Sequence, residues 1–153
     1  MNCPGKGVAA ALIALGAIAA VSCGGGDSTG PDSTRDIGGN WNGTATYNNA
    51  QLQITCTFSG SVSIVQSGTN FTGQVTGSVI TCIGAGGASS GSGDGPITGG
   101  QVNGNTLSYS NGGCTYTGTI TGTPANRVEG DVSCDVAIGG TTYPFDGTWQ
   151  ISR

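Results

Sequence analysis

The chain has 153 residues, a formal charge of −4 and no histidine, and only 8% of its residues are charged. An acidic, histidine-free composition excludes the basic footprint that nucleic acid demands, together with most triad and imidazole-metal chemistry. The 31 glycines and 5 prolines approach the content of disordered chains, but charge is too sparse for self-repelling disorder, so order has to be read from pattern.

Residues 1–22 read as a secretion signal. Lys6 supplies the positive start, and "VAAALIALGAIAAV" is an apolar run of signal length, too short to span a bilayer. The run ends at Ala20, Val21, Ser22 and Cys23, small residues before a cysteine. This tetrapeptide resembles the lipobox of bacterial lipoproteins, with Ala20 where leucine is usual. The resemblance implies cleavage before Cys23, acylation of its thiol and insertion of the acyl chains into a membrane, where two chains anchor stably. Gly24, in place of the family's inner-membrane retention aspartate, implies an outer-membrane destination, facing periplasm or cell surface. The tract "GGGDSTGPDSTRDIGG" then reads as a flexible tether, so 23–38 is assigned to the lipidated linker and 39–153 to a folded domain.

From Gly39 onward, apolar residues alternate with Thr, Ser, Gln and Asn, the period of strands with one buried face. In "LQITCTFSGSVSIV", Leu52, Ile54, Cys56, Phe58, Val62 and Ile64 share a face. Turn signals predict strands near 40–47, 52–66, 71–82, 96–102, 106–110, 114–121, 127–138 and 142–152, with an exposed loop over "IGAGGASSGSGDG". Antiparallel pairing brings same-face residues opposite one another. A turn at Gly139 and Gly140 therefore pairs Val136 with Tyr143 and Cys134 with Phe145. The "GTPAN" loop pairs Tyr116 with Val132, and the "NNAQ" loop pairs Tyr47 with Leu52 and Ala45 with Ile54. Every aromatic residue then falls on the inward face, along with Gly43, Gly73, Gly77, Gly118, Gly130 and Gly147. Sequential antiparallel strands with one dry face predict an all-β, eight-stranded up-and-down barrel, with a β-sandwich as the alternative.

The domain opens with "GNW", Gly39 to Trp41, and closes with "TWQISR". The opening resembles the G-x-W that starts the barrel of lipocalins, avidins and other calycins. The resemblance implies that Arg153 on the last strand packs across Trp41 and closes the barrel.

With Cys3 in the signal and Cys23 as anchor, Cys56, Cys82, Cys114 and Cys134 remain for the domain. The "GTPAN" register sets Cys114 opposite Cys134. The "SGTN" turn leaves Cys56 and Cys82 one residue out of register. A bulge after Val79, where Ile80 follows directly, would bring them together. Two disulfides in an oxidising compartment follow, since the spacing lacks the paired C-x₂₋₄-C of zinc sites.

No catalytic, cofactor-binding or metal-binding residue emerges. "GASSG" at 87–91 matches the G-x-S-x-G elbow but lacks a histidine base. Arg127, Glu129, Asp131 and Asp135 form an outward stripe without a loop to fold them around calcium. The expectation is a non-enzymatic envelope lipoprotein, without nucleic acid as a partner, whose small barrel binds an apolar ligand or a partner protein. Tyr116, Tyr143 and Trp149 are the candidate lining residues. A protease-inhibitor-like or purely structural barrel with a filled core is the alternative, because eight strands enclose a space that side chains can fill. Metabolic labelling with a fatty-acid analogue should mark the wild type and spare Cys23→Ser; equal labelling of both would remove the anchor.

Overall fold

The computed structural model describes residues 34–153, so the expected signal peptide and the expected anchor Cys23 lie outside the described residues. Nine strands follow one another: β1 (Gly39–Asn49), β2 (Ile54–Ser67), β3 (Asn70–Gly84), β4 (Gly87–Gly91), β5 (Gly95–Asn103), β6 (Thr106–Asn111), β7 (Cys114–Thr121), β8 (Arg127–Ile138) and β9 (Thr141–Ser152). Antiparallel pairing runs β2-β1-β9-β8-β7-β6-β5-β3, and β2 also pairs with β3. These eight strands close into an up-and-down barrel, which excludes the two-layer sandwich. β4 is extra.

Alternation sets which side chains meet inside. Trp41, Tyr47, Phe71, Tyr109, Phe145 and Trp149 are buried, and Phe58, Tyr116 and Tyr143 are half-buried. Val136 pairs with Tyr143, Cys134 with Phe145 and Tyr116 with Val132, in the registers the turns predict. Both disulfides form, Cys56 to Cys82 and Cys114 to Cys134.

Three features depart from the sequence reading. The β1–β2 turn lies at 50–53, later than expected, so Tyr47 faces Cys56 and Ala45 faces Phe58. The side chain of buried Asn49 is the reason. Its Oδ1 accepts the Leu52 amide at 2.7 Å and its Nδ2 donates to the Pro144 carbonyl at 2.6 Å, which holds the chain extended past the expected turn. The parity is unchanged, because the shift moves the partner by an even number of residues.

The β3 bulge also sits earlier than expected, between Thr76 and Val79, where Gly77 and Ser78 oppose Gly60. Gly77 adopts φ +60°, is exposed rather than inward, and carries the bend that only glycine takes without strain. Ser78 turns inward in its place, Val79 points out to solvent, and Ile80 and Cys82 resume the inward phase. The expected loop, lastly, is partly a strand. Residues Gly87–Gly91 fold back as β4 on the far half of β3, while β5 covers the near half. Small polar residues had disguised it as a loop, but the β3 backbone supplies a template.

The barrel is tight enough for backbones to touch. A Cβ at Gly147 would lie 1.9 Å from the Thr46 carbonyl oxygen, and one at Gly130 would lie 2.0 Å from that of Thr117. Glycine at these positions lets neighbouring strands coil closely. Gly147→Ala should therefore lower the unfolding free energy in urea by about 1–3 kcal/mol, the usual cost of overpacking. Gly91→Ala, where no atom lies within 4 Å of the added Cβ, should leave it nearly unchanged. Equal midpoints for the two variants would contradict the close approach.

Candidate functional site at the open end

The two ends of the barrel differ in kind. At the floor, where β1 begins and β9 ends, the chain seals itself. Ile37 is fully buried, and Trp41 donates its indole N–H to the Ile37 carbonyl at 2.9 Å. Gln66 accepts the Ile37 amide at 2.7 Å and donates to the Arg35 carbonyl at 2.9 Å. Arg35 reaches Asn105 Oδ1 at 3.1 Å and the Gly122 carbonyl. The folded domain thus begins at least at Arg35, inside the segment assigned to the tether, because an apolar side chain at 37 has a core to enter. The structure brings Trp41 and Arg153 together. The guanidinium lies 4.2 Å from the indole centroid, donating from Nε to Ala125 O at 2.9 Å and from Nη1 to Gly38 O at 2.6 Å. Cation–π attraction and charge-assisted hydrogen bonds lock the two ends of the barrel domain across the floor.

At the other end the apolar residues are only half covered. Leu52, Ile54, Phe58, Ile80, Cys82, Cys114, Tyr116 and Tyr143 are the partly buried hydrophobics of the core, and all sit toward this end. Strand length is the cause. β2, β3 and β4 rise together as a three-stranded flap, and β8 and β9 rise as a long hairpin, whereas β6 and β7 turn back early at Gly112 and Gly113. Val136 and Ile138, in the inward phase of the hairpin, remain 37% and 44% exposed. On the β1 side, Asn49 ties the β1–β2 turn to Pro144 of β9 and closes the rim. On the β6–β7 side, the wall is missing two strands' width.

Beneath this mouth the barrel is filled. Tyr109 and Tyr116 stack at 4.5 Å with an interplanar angle of 2°, and Trp149 stands edge-on to both at 5.4 and 5.6 Å. Trp149 also donates its indole N–H to the Thr117 carbonyl at 3.0 Å. Of the three expected lining residues, Trp149 is thus buried and bonded within the core, while Tyr116 and Tyr143 reach the half-open region. A space bounded by Phe58, Val62, Val75, Tyr109, Tyr116 and Trp149 holds about 20 Å³, room for a single water. Hollows of 520 and 490 Å³ lie on the outer wall instead, open to solvent and lined mainly by Thr, Ser, Glu and Asp.

Burial pushes the Tyr116 phenol up to about 12, with a smaller push from Tyr47, and also raises Tyr109 and Tyr47. These phenols stay protonated across the ordinary pH range. In that state they can donate hydrogen bonds but do not act as bases. Among the described residues, no three His, Cys, Asp or Glu side chains group as metal ligands, and Asp131, Asp135 and Glu129 lie along the exposed outer face.

The flap hangs on one carboxylate. Asp94, between β4 and β5, accepts the Ser78 amide at 2.7 Å and the Gly77 amide at 3.2 Å. Ser78 Oγ accepts the Gly93 amide at 2.7 Å and contacts Ser92 Oγ at 3.3 Å. The carboxylate thus satisfies two backbone donors that the bulge removes from the ladder. Sequence reasoning passed over Asp94, and the only signal was one acidic residue inside a Gly/Ser tract.

Hydrogen bonding from the side chain and amide of Ser78, helped by Gly77 and Ser92, holds the Asp94 carboxyl below its ordinary value. A depressed folded-state value means that the clamp is complete above the ordinary carboxylate range and is lost as pH falls through the lower folded value. Protection factors for the Gly77 and Ser78 amides and for β4 should therefore drop only under strong acid in the wild type. In Asp94→Asn they should already be low at neutral pH, and wild-type protection in that variant would remove the clamp. Comparison of the chain with protein-family models, with curated proteins and with solved structures finds no match.

Proposed function

We propose that this chain is a non-enzymatic envelope lipoprotein, anchored through Cys23 at the outer membrane, whose calycin-like barrel is a binding module. Its half-covered apolar end engages an apolar element of a partner protein. The observation that carries this reading is polarity of the barrel: the chain enters at the sealed floor, through Arg35 and Ile37, at the end opposite the mouth. A tether leading from that floor to a membrane presents the mouth away from the bilayer. The mouth then has half-exposed apolar side chains to cover, and removing them from water contributes about 25 cal/mol per Å².

A small, flat apolar compound is the second reading, favoured by the half-buried rings of Tyr116 and Tyr143. A space of 20 Å³ confines such a compound to the mouth.

Native mass spectrometry of the lipidated protein extracted from its own envelope tests the two readings. A retained protein, lost when Ile138→Asp puts a charge on the rim, is the expected result. A retained mass of a few hundred daltons would replace it with the second reading. Neither species, with wild type and Ile138→Asp behaving alike, would sink the binding module and leave a structural barrel.

A further inference from the structure

The mouth has a notch, and the notch is bordered by two free strand edges. β4 pairs with β3 on one side only, and among the described residues its other edge meets no strand. Across the gap, β7 pairs with β8 only as far as Cys114 and Cys134, so residues 135–138 are bonded to β9 alone. Between the two edges lie the positions that β6 and β7 would fill if they ran on. At strand spacings of about 4.8 Å, the gap is about 14 Å along the wall.

We infer that this notch is a strand-addition site that receives an extended segment of a partner protein along the free edge of β4. This rests on the reading of the chain as a binding module. Free backbone N–H and C=O groups on an edge are satisfied best by another backbone, which makes an extended segment the fitting chemistry. The edge is ready to receive one. Gly87, Ala88, Ser89, Ser90 and Gly91 carry no charge, no proline and no bulky side chain, and all are exposed. They lack the devices with which edge strands ordinarily repel a neighbour.

Parity specifies the side chains of the occupant. Ser89 pairs with Cys82 and Gly91 with Ile80, so the positions facing inward lead toward Ile80, Cys82, Tyr116, Val136 and Ile138. An added strand would place every second residue over those apolar side chains and the others in water. The ionic groups flanking the notch are both carboxylates, Asp94 at its base and Asp135 on β8. A segment with alternating apolar residues and basic ends complements them. A second copy of the chain, at net charge −4, brings the same carboxylates against themselves. The chain's own leading segment is also a poor occupant, since the described chain enters through Arg35 and Ile37 at the end opposite the notch.

The test uses the full lipidated chain in detergent micelles. The probe is a blocked peptide of alternating valine and threonine with a lysine at each end. Hydrogen exchange reads the Gly87–Gly91 amides, and fluorescence anisotropy reads affinity. The peptide should slow exchange across β4 at least tenfold. N-methylation of alternate residues along its pairing edge should abolish the effect, and N-methylation along the other edge should spare it. If both N-methylated peptides bind as the parent does, side chains alone make the contact and strand addition is overturned. If no peptide binds while the neutral dye Nile red binds and Ile138→Asp releases it, the binding module stands and strand addition falls. If neither binds, both readings fall. Protection of Gly87–Gly91 that appears without peptide and grows with protein concentration would assign the edge to a second copy and overturn this proposal.

Discussion

The barrel depends on its last strand finding its first. Seven of the strand junctions form between elements close in sequence, but β1 with β9 joins the two ends of the domain, Asn42 to Ser152 and Asn48 to Asp146. Non-local pairing costs chain entropy before it returns any contact energy. Neither disulfide helps with that step, since each staples neighbouring strands, Cys56 to Cys82 across β2 and β3 and Cys114 to Cys134 across β7 and β8. In the loop-entropy account such staples narrow the unfolded ensemble by roughly 3–4 kcal/mol each. They preassemble two corners of the wall. Closure itself is noncovalent: the β1–β9 ladder, the approach of Gly147 to Thr46, and Arg153 laid over Trp41.

Once the ring is closed, interior volume becomes the limiting quantity. Few residues here are large, yet the aromatics all turn inward, and three of them interlock at Tyr109, Tyr116 and Trp149. Glycines on the same face make room for the rings by letting the wall bend inward. The outcome is a solid middle, a sealed floor and an unfinished top. The half-covered apolar side chains are left to the part of the wall that outgrows the barrel.

Most of the barrel was legible in the sequence because alternation and turn chemistry are local signals, and parity survives a register error of an even number of residues. The β1–β2 turn shows this: Asn49 delays it, yet Tyr47 and Ala45 still face inward residues. The bulge was half legible. Two cysteines one residue out of step required a slip in β3, but the adjacent apolar pair Val79 and Ile80 drew it to the wrong place. Gly77 was the true marker, and in a chain with 31 glycines one more carries little weight. β4 was illegible for a related reason, as "GASSG" has no side chain that favours a strand, and β3 alone defines it. The candidate site shared that fate. Tyr116 and Tyr143 could be placed near an opening from pattern, whereas the notch arises from differences in strand length, which turn signals locate only within a few residues.

The sealed floor has a mechanical consequence. Ile37 and Arg35 feed directly into β1, whose hydrogen bonds to β2 and β9 run across the direction of the strand. A pull on the chain ahead of Arg35, against a hold at the opposite end of the barrel, acts along β1 and stresses those two ladders in shear. Their bonds share the force side by side rather than opening one after another. A barrel pulled by its floor and held at its rim is thus loaded in the direction in which its strand ladders resist together.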